Sequence, residues 1–214
     1  LSGFQERLMG EAGDSTFATV DQATRLLVGG ALLGLALAVA AGVVSYGLMA
    51  FVMTAAPIAM VNTGHSVDSA ALGIQWHLLA MFAPSFVTGR LMTRFGKERV
   101  TAAGMLLIAV SAIVALAGLE LINFWGSLAI MGIGWNFSFI GATAMVTDCH
   151  TPGERAKAQG ANDFMVFGTT AAVSFLAGSV LHNSGWAAIN WLLFPPVALI
   201  LVPLLWQAAR KPQA

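Results

Sequence analysis

Charge is what this sequence has least of. Asp, Glu, Lys and Arg make up 9% of its 214 residues, where a water-soluble domain carries roughly 25%. That scarcity excludes a soluble enzyme and a disordered chain. The formal net charge is zero, so no bulk attraction to nucleic acid is expected. A single cysteine, Cys149, excludes a disulfide framework and a cysteine-based metal cluster. There is no GxSxG serine elbow, no HExxH and no CxxC. No phosphate loop of the form GxxxxGK followed by Ser or Thr occurs either. The chain therefore offers neither an ATPase engine nor an enzyme's catalytic motif, and no cofactor is expected. Its histidines, His65, His77, His150 and His182, fall on connectors or single helices at unrelated depths, so no metal site is expected.

What remains is apolar. Hydrophobic residues make up 57% of the chain, and the mean hydropathy is +0.79. A membrane-spanning helix needs about 20 apolar residues, and the fold expected is an all-α polytopic bundle of six such helices. Residues 1–25 are polar and mixed in charge (Glu6, Arg7, Glu11, Asp14, Asp21, Arg25). They lack the short apolar core and small-residue cleavage site of a signal peptide. The chain opens with Leu1 rather than Met, which suggests a truncated or excised piece or a non-standard start codon. From Leu26 to Asn62 there is no charge. That run reads as one long helix over about 28–61, with a helical hairpin as the alternative. Five further spans are expected near 69–92, 99–118, 122–147, 156–181 and 186–208. The connectors are His65–Asp68, Arg94–Arg99, Gly118–Asn123, Asp148–Arg155 and His182–Gly185. All are short, as in a compact bundle.

Six spans place all ten Lys and Arg residues on one side of the membrane. The three opposite connectors contain none. The positive-inside rule then puts both termini in the cytoplasm. The domain organisation expected is a polar cytoplasmic segment over 1–25, suited to linking two halves, a bundle over 26–210 and a tail over 211–214.

Polar side chains mark the faces that avoid lipid, because a charge deep in a bilayer costs roughly 2.5–3.5 kcal/mol. The spans near 99–118 and 186–208 are the least polar and should face lipid. In the second span His77, Met81 and Ser85 share a stripe, and Gln75 points elsewhere. In the fourth, Gly132, Asn136 and Ile140 share a stripe beside Trp135. In the fifth, Gln159, Asp163, Phe167 and Thr170 do so. Tyr46, with Met49, Met53 and Thr54 on nearby faces, comes from the first. The candidates for a substrate cavity or for ion coupling are Tyr46, Met53, Gln75, His77, Trp135, Asn136 and Asp163. Two readings stay open for several of them. His77 serves either as a hydrogen bond to a neighbouring helix or in substrate or proton handling. Asp163 serves either a proton-linked cavity or a structural pair with Asn136, Gln159 or an Arg. Asn136 is either helix–helix glue or a pathway residue. Gly134 and Ser138 form a small-xxx-small pair.

The connector Gly89-Arg90-Leu91-Met92-Thr93-Arg94-Phe95-Gly96-Lys97-Glu98-Arg99 resembles the loop motif of the major facilitator superfamily, G-x-L-x-D-R-x-G-R followed by Arg or Lys. Gly89, Leu91, Arg94, Gly96 and Lys97 fit, and Thr93 stands where the family usually has Asp. Tyr46 to Met49 and Met53 to Pro57 look like the seventh helix of bacterial permeases of this family. Gln75 to His77 and Met81 to Phe86 look like the eighth, and Gly134 to Phe137 like the tenth. Pro152 to Arg155 with Asn162 to Phe164 resembles the loop into the eleventh. The resemblance implies the carboxy-terminal six-helix half of a twelve-helix secondary transporter in a bacterial inner membrane. Such a half works with a second six-helix half, from the same protein or another copy, and rocks against it around a small-molecule substrate. The few charges suggest a neutral, amphipathic or aromatic substrate. The alternative is a non-transporting membrane remnant, or an assembly or regulatory subunit.

Overall fold

The computed structural model describes the backbone of residues 2–148 and 153–210, and their side chains apart from 2–20, 26–27 and 210. Cys149, His150, Pro152 and the tail 211–214 lie outside the described residues. Seven helices follow one another: α1 (Ser2–Asn62), α2 (Val67–Phe82), α3 (Ser85–Phe95), α4 (Lys97–Leu116), α5 (Leu121–Asp148), α6 (Arg155–Trp191) and α7 (Phe194–Arg210). The chain divides into two compact units, Leu1–Ala36 and Leu37–Ala214. In the first, Arg25 and Asp21 form an exposed ion pair at 2.9 Å one turn apart. The second holds everything described below.

The uncharged run after Leu26 forms part of a single helix, α1, and the helical hairpin is not adopted. The polar residues 2–25 continue the same helix. Gly64 ends the turn after α1 at φ 93°. His65 Nε2 then donates to the Leu119 carbonyl at 2.8 Å, in the connector between α4 and α5. Ser66 caps α2 by accepting from the Ser69 amide at 3.1 Å, and Asp68 lies in the first turn, where the helix dipole favours it.

The second span is broken. Proline has no N–H to give the helix ladder, and at Pro84 the chain bends by 41° between α2 and α3. α3 passes into α4 through Gly96, whose φ of 89° suits glycine alone among common residues.

Four helices are long and apolar enough to cross a membrane, and the bent α2–α3 pair adds a fifth. The longest apolar stretch runs over Arg155–Ala209. Gly185 interrupts it at φ 77°, ψ −179°. Six spans were expected; among the described residues there are four such helices, or five with the bent pair counted as one. The helix continues to Gly185 in place of the four-residue connector read from the sequence. A second break precedes Pro195 and separates α6 from α7.

α5 is the centre of the bundle. It packs extensively on α4 and on α2. Small residues make the α4 contact. A methyl group on Gly104 would lie 2.6 Å from the Gly134 carbonyl oxygen, so the two backbones touch directly. The hydroxyls in this seam turn back on their own helices: Thr101 to Lys97 at 2.8 Å, Ser111 to Ile108 at 2.7 Å and Ser138 to Gly134 at 2.7 Å. The expectation that the span near 99–118 faces lipid fits one side of α4, where Leu106 and Ile113 are exposed. Its other sides are buried on α5 and α7. The side chains at the seam are small, so α4 sinks deeply into the bundle.

Candidate functional site

A cleft of about 360 Å³ opens between α1 and α2. Tyr46, Met49, Ala50, Met53 and Thr54 line it from α1, and His77, Leu78 and Met81 from α2. Spacings of three and four residues put the α1 set on one helical face. Met49, Met81 and Trp135 of α5 form a buried cluster, with Tyr46, Met53 and Phe139 packed against it. Tyr46 is the hub of the aromatic part. Its ring meets Trp135, Phe139 and Phe167 edge-on, with centroids 5.6, 5.1 and 5.4 Å away. Trp135 stacks on Phe139 at 5.0 Å, and Phe82 stands edge-on to Trp135 at 6.4 Å. On the cleft lining, Tyr46 supplies an aromatic face and Met49, Met53 and Met81 flexible thioethers, with the other rings packed behind Tyr46.

His77 is fully buried. Its Nδ1 lies 2.8 Å from the Leu128 carbonyl oxygen of α5. A carbonyl only accepts, so Nδ1 carries the proton. Nε2 has no hydrogen-bond partner, and neither has the indole N–H of Trp135. The close approach that seats His77 depends on Gly132, where a methyl group would fall 2.6 Å from the His77 carbonyl oxygen.

Asn136, also fully buried, lies at the bend between α2 and α3. Its amide donates to the Met81 carbonyl at 2.8 Å and the Ser85 hydroxyl at 2.7 Å. Its carbonyl accepts from Thr88 at 2.6 Å. The side chain pins the broken span to α5, and its polar atoms are committed to that task. Asp163 is half-buried. Gln159 and Asn162 donate to it at 3.3 and 3.4 Å, and it makes no ion pair among the described residues. Gln75 is exposed and outside the cleft lining.

The loop motif performs a different task. Lys97 donates to both carboxylate oxygens of Asp148 at 2.6 Å and to the Ala144 carbonyl at 3.2 Å. It therefore holds the C-terminal end of α5, where the helix dipole favours a cation. Arg94 lies over the Phe95 ring at 5.2 Å. Leu91 lines a second, smaller apolar cavity of about 270 Å³ with Phe95, Arg99 and Phe137. Gly89 has nothing close to it. Phe139 escaped the sequence reading as a site residue, although its place four residues after Trp135 puts the two on one face. No group of three metal-ligating side chains occurs among the described residues.

The profile of the Major Facilitator Superfamily matches residues 24–214. The chain is 71% identical over 175 residues to the riboflavin transporter RfnT of Brucella anthropi, an overlap of 82% of this chain and 44% of that protein. It is 33% identical over 166 residues to YdeG of Bacillus subtilis, an uncharacterised transporter of the same type, covering 76% of this chain and 38% of that one. With the drug efflux pump JefA of Mycobacterium tuberculosis it shares 28% over 134 residues, 60% of this chain and 26% of the pump. No solved structure matches. The chain spans less than half the length of these relatives. The apolar helices, the loop geometry around Lys97 and the profile match together make this chain an integral membrane protein that belongs to the major facilitator superfamily.

Proposed function

We propose that this chain is the carboxy-terminal six-helix half of a secondary transporter that moves riboflavin, or a closely similar planar heterocycle, by alternating access. The observation that carries the reading is the cleft between α1 and α2, lined by Tyr46, Met49, Met53 and Met81 and backed by Trp135. Its volume falls within the roughly 300–1,000 Å³ of small-molecule sites. Its walls stack on a flat apolar ring and offer no charge to a polyanion. The 71% identity to a riboflavin transporter supplies the substrate.

The other half of the cavity comes from a second six-helix bundle, either an amino-terminal half or another copy. The exposed Phe86 of α3 and Phe164 and Phe175 of α6 support this, since they present large rings with nothing packed over them in this half. Residues 1–25 serve as the cytoplasmic link between the halves. The one-sided placement of all ten cations supports cytoplasmic termini. Asp163, half-buried and without an ion pair among the described residues, is the group to which a coupled proton binds.

The test is riboflavin flux in proteoliposomes, with and without a proton gradient. The chain is compared alone and joined to an amino-terminal half. Gradient-driven flux in the joined form that is abolished by Asp163→Asn supports the reading in full. Equal flux with and without the gradient removes the coupling. No flux from correctly folded protein in either form returns the chain to the non-transporting alternative.

A further inference from the structure

His77 is held in one tautomer by α5 and left with one nitrogen unused. The Leu128 carbonyl, 2.8 Å from Nδ1, takes the only N–H of the neutral ring. Nε2 is then a lone-pair acceptor. It is fully buried, without a partner, on a residue that lines the cleft. A buried acceptor left unpaired is costly, and a donor that reaches it removes that cost. Two of the polar side chains around the cleft are occupied elsewhere. Asn136 is committed to Met81, Ser85 and Thr88, and Thr54 donates to the Ala50 carbonyl at 2.8 Å. The walls beside it are methionines, Met49, Met53 and Met81, whose rotatable side chains can move aside for a ligand.

We infer that His77 Nε2 is the specificity-determining acceptor of the cleft, reading an N–H at the edge of the bound heterocycle. This rests on the flavin reading above and adds to it which edge enters. The pyrimidine edge of riboflavin presents one N–H, at N3, between two carbonyls. The N3–H donates to His77 Nε2 while the rest of the ring lies among Tyr46 and the methionines. The unpaired indole N–H of Trp135 is a donor of the kind a flanking carbonyl accepts. A site built around such a hydrogen bond rejects an analogue that cannot make it.

The experiment titrates the protein in lipid nanodiscs, alone and joined to an amino-terminal half, with riboflavin and with N3-methylriboflavin. Quenching of flavin fluorescence reports binding. The wild-type protein should bind the N3-methyl compound about ten-fold more weakly. His77→Leu should lose about ten-fold for riboflavin and no longer distinguish the two. His77→Gln, which keeps an acceptor, should recover part of the preference. Circular dichroism and thermal melting establish that each variant is folded, and the wild-type comparison stands without any variant. Riboflavin binding with equal affinity for both compounds overturns this inference alone. An N3-methyl penalty that persists in folded His77→Leu is steric and also overturns it. Absence of riboflavin binding by the wild type in both forms overturns the flavin reading, and this inference with it.

Discussion

Between α4 and α5 the hydroxyls of Thr101, Ser111 and Ser138 each donate to a carbonyl of their own helix, and the backbones meet at Gly104 and Gly134. Around the α1–α2 cleft, His77 and Trp135 each keep one ring nitrogen unpaired, and the contacts are made by thioethers and aromatic edges. Both regions are drawn from the same apolar composition. The seam uses small residues whose polar atoms are satisfied locally, so it can close without a partner. The cleft uses large adaptable residues with unspent hydrogen-bonding capacity. Two surfaces of one apolar bundle thus differ in how their polar atoms are satisfied, although hydrophobicity alone does not distinguish them.

The difference can be broken most sharply at the seam. Gly134→Leu should destabilise the fold strongly, because a side chain there meets the Gly104 carbonyl and Ile108 at 2.9 and 3.0 Å. Overpacking by about 1–3 kcal/mol or more is expected. Size-exclusion profiles of the detergent-purified protein would show aggregation. Normal elution and melting would mean that the helices separate easily. Next comes Asn136→Ala, which strips partners from Met81, Ser85 and Thr88 at the bend. A loss of about 1–3 kcal/mol is expected as a lowered melting temperature, with riboflavin quenching retained below the melt. Loss of quenching in well-folded protein would move Asn136 from pinning the bend to contacting substrate.

At the cleft, Tyr46→Ala should lower the melting temperature, because the ring contacts to Trp135, Phe139 and Phe167 are lost, so binding is compared well below the melt. The substitution should weaken riboflavin binding several-fold, by about 0.5–1.5 kcal/mol for a lost aromatic pair. Unaltered affinity would take the aromatic hub out of the site. The smallest effect is expected at the Lys97–Asp148 clamp. The Lys97–Asp148 pair is 34% and 60% exposed, so Lys97→Ala should lower stability by at most about 1 kcal/mol. That loss should shrink further in high salt. A larger, salt-independent loss would assign the stabilisation to the Ala144 carbonyl contact.

Several elements were legible before any coordinates. The spans near 99–118 and 122–147 agree with α4 and α5 within a few residues, because the flanking charges and Gly118 bound each apolar run. The Gly134–Ser138 pair was readable as a close contact, although its counterpart Gly104 was not singled out. Pro84 stood in plain view, yet the bend there was missed. A proline in a membrane helix bends the chain only as far as neighbouring helices re-satisfy the freed backbone. That service comes from Asn136, about fifty residues away. For Asn136 the two readings were helix–helix glue and pathway. Three hydrogen bonds to α2 and α3 favour glue.

Composition and the spacing of charges determined that this chain crosses a membrane and roughly where it does so. Those properties follow from transfer free energies summed over one segment at a time. Only the tertiary structure decided that His77 spends one nitrogen on α5 and leaves the other unpaired beside the cleft, and that Tyr46 gathers rings from α5 and α6. Hydrogen bonds and ring contacts between helices depend on rotation and depth, which neighbouring helices fix through direct packing and which no single segment encodes.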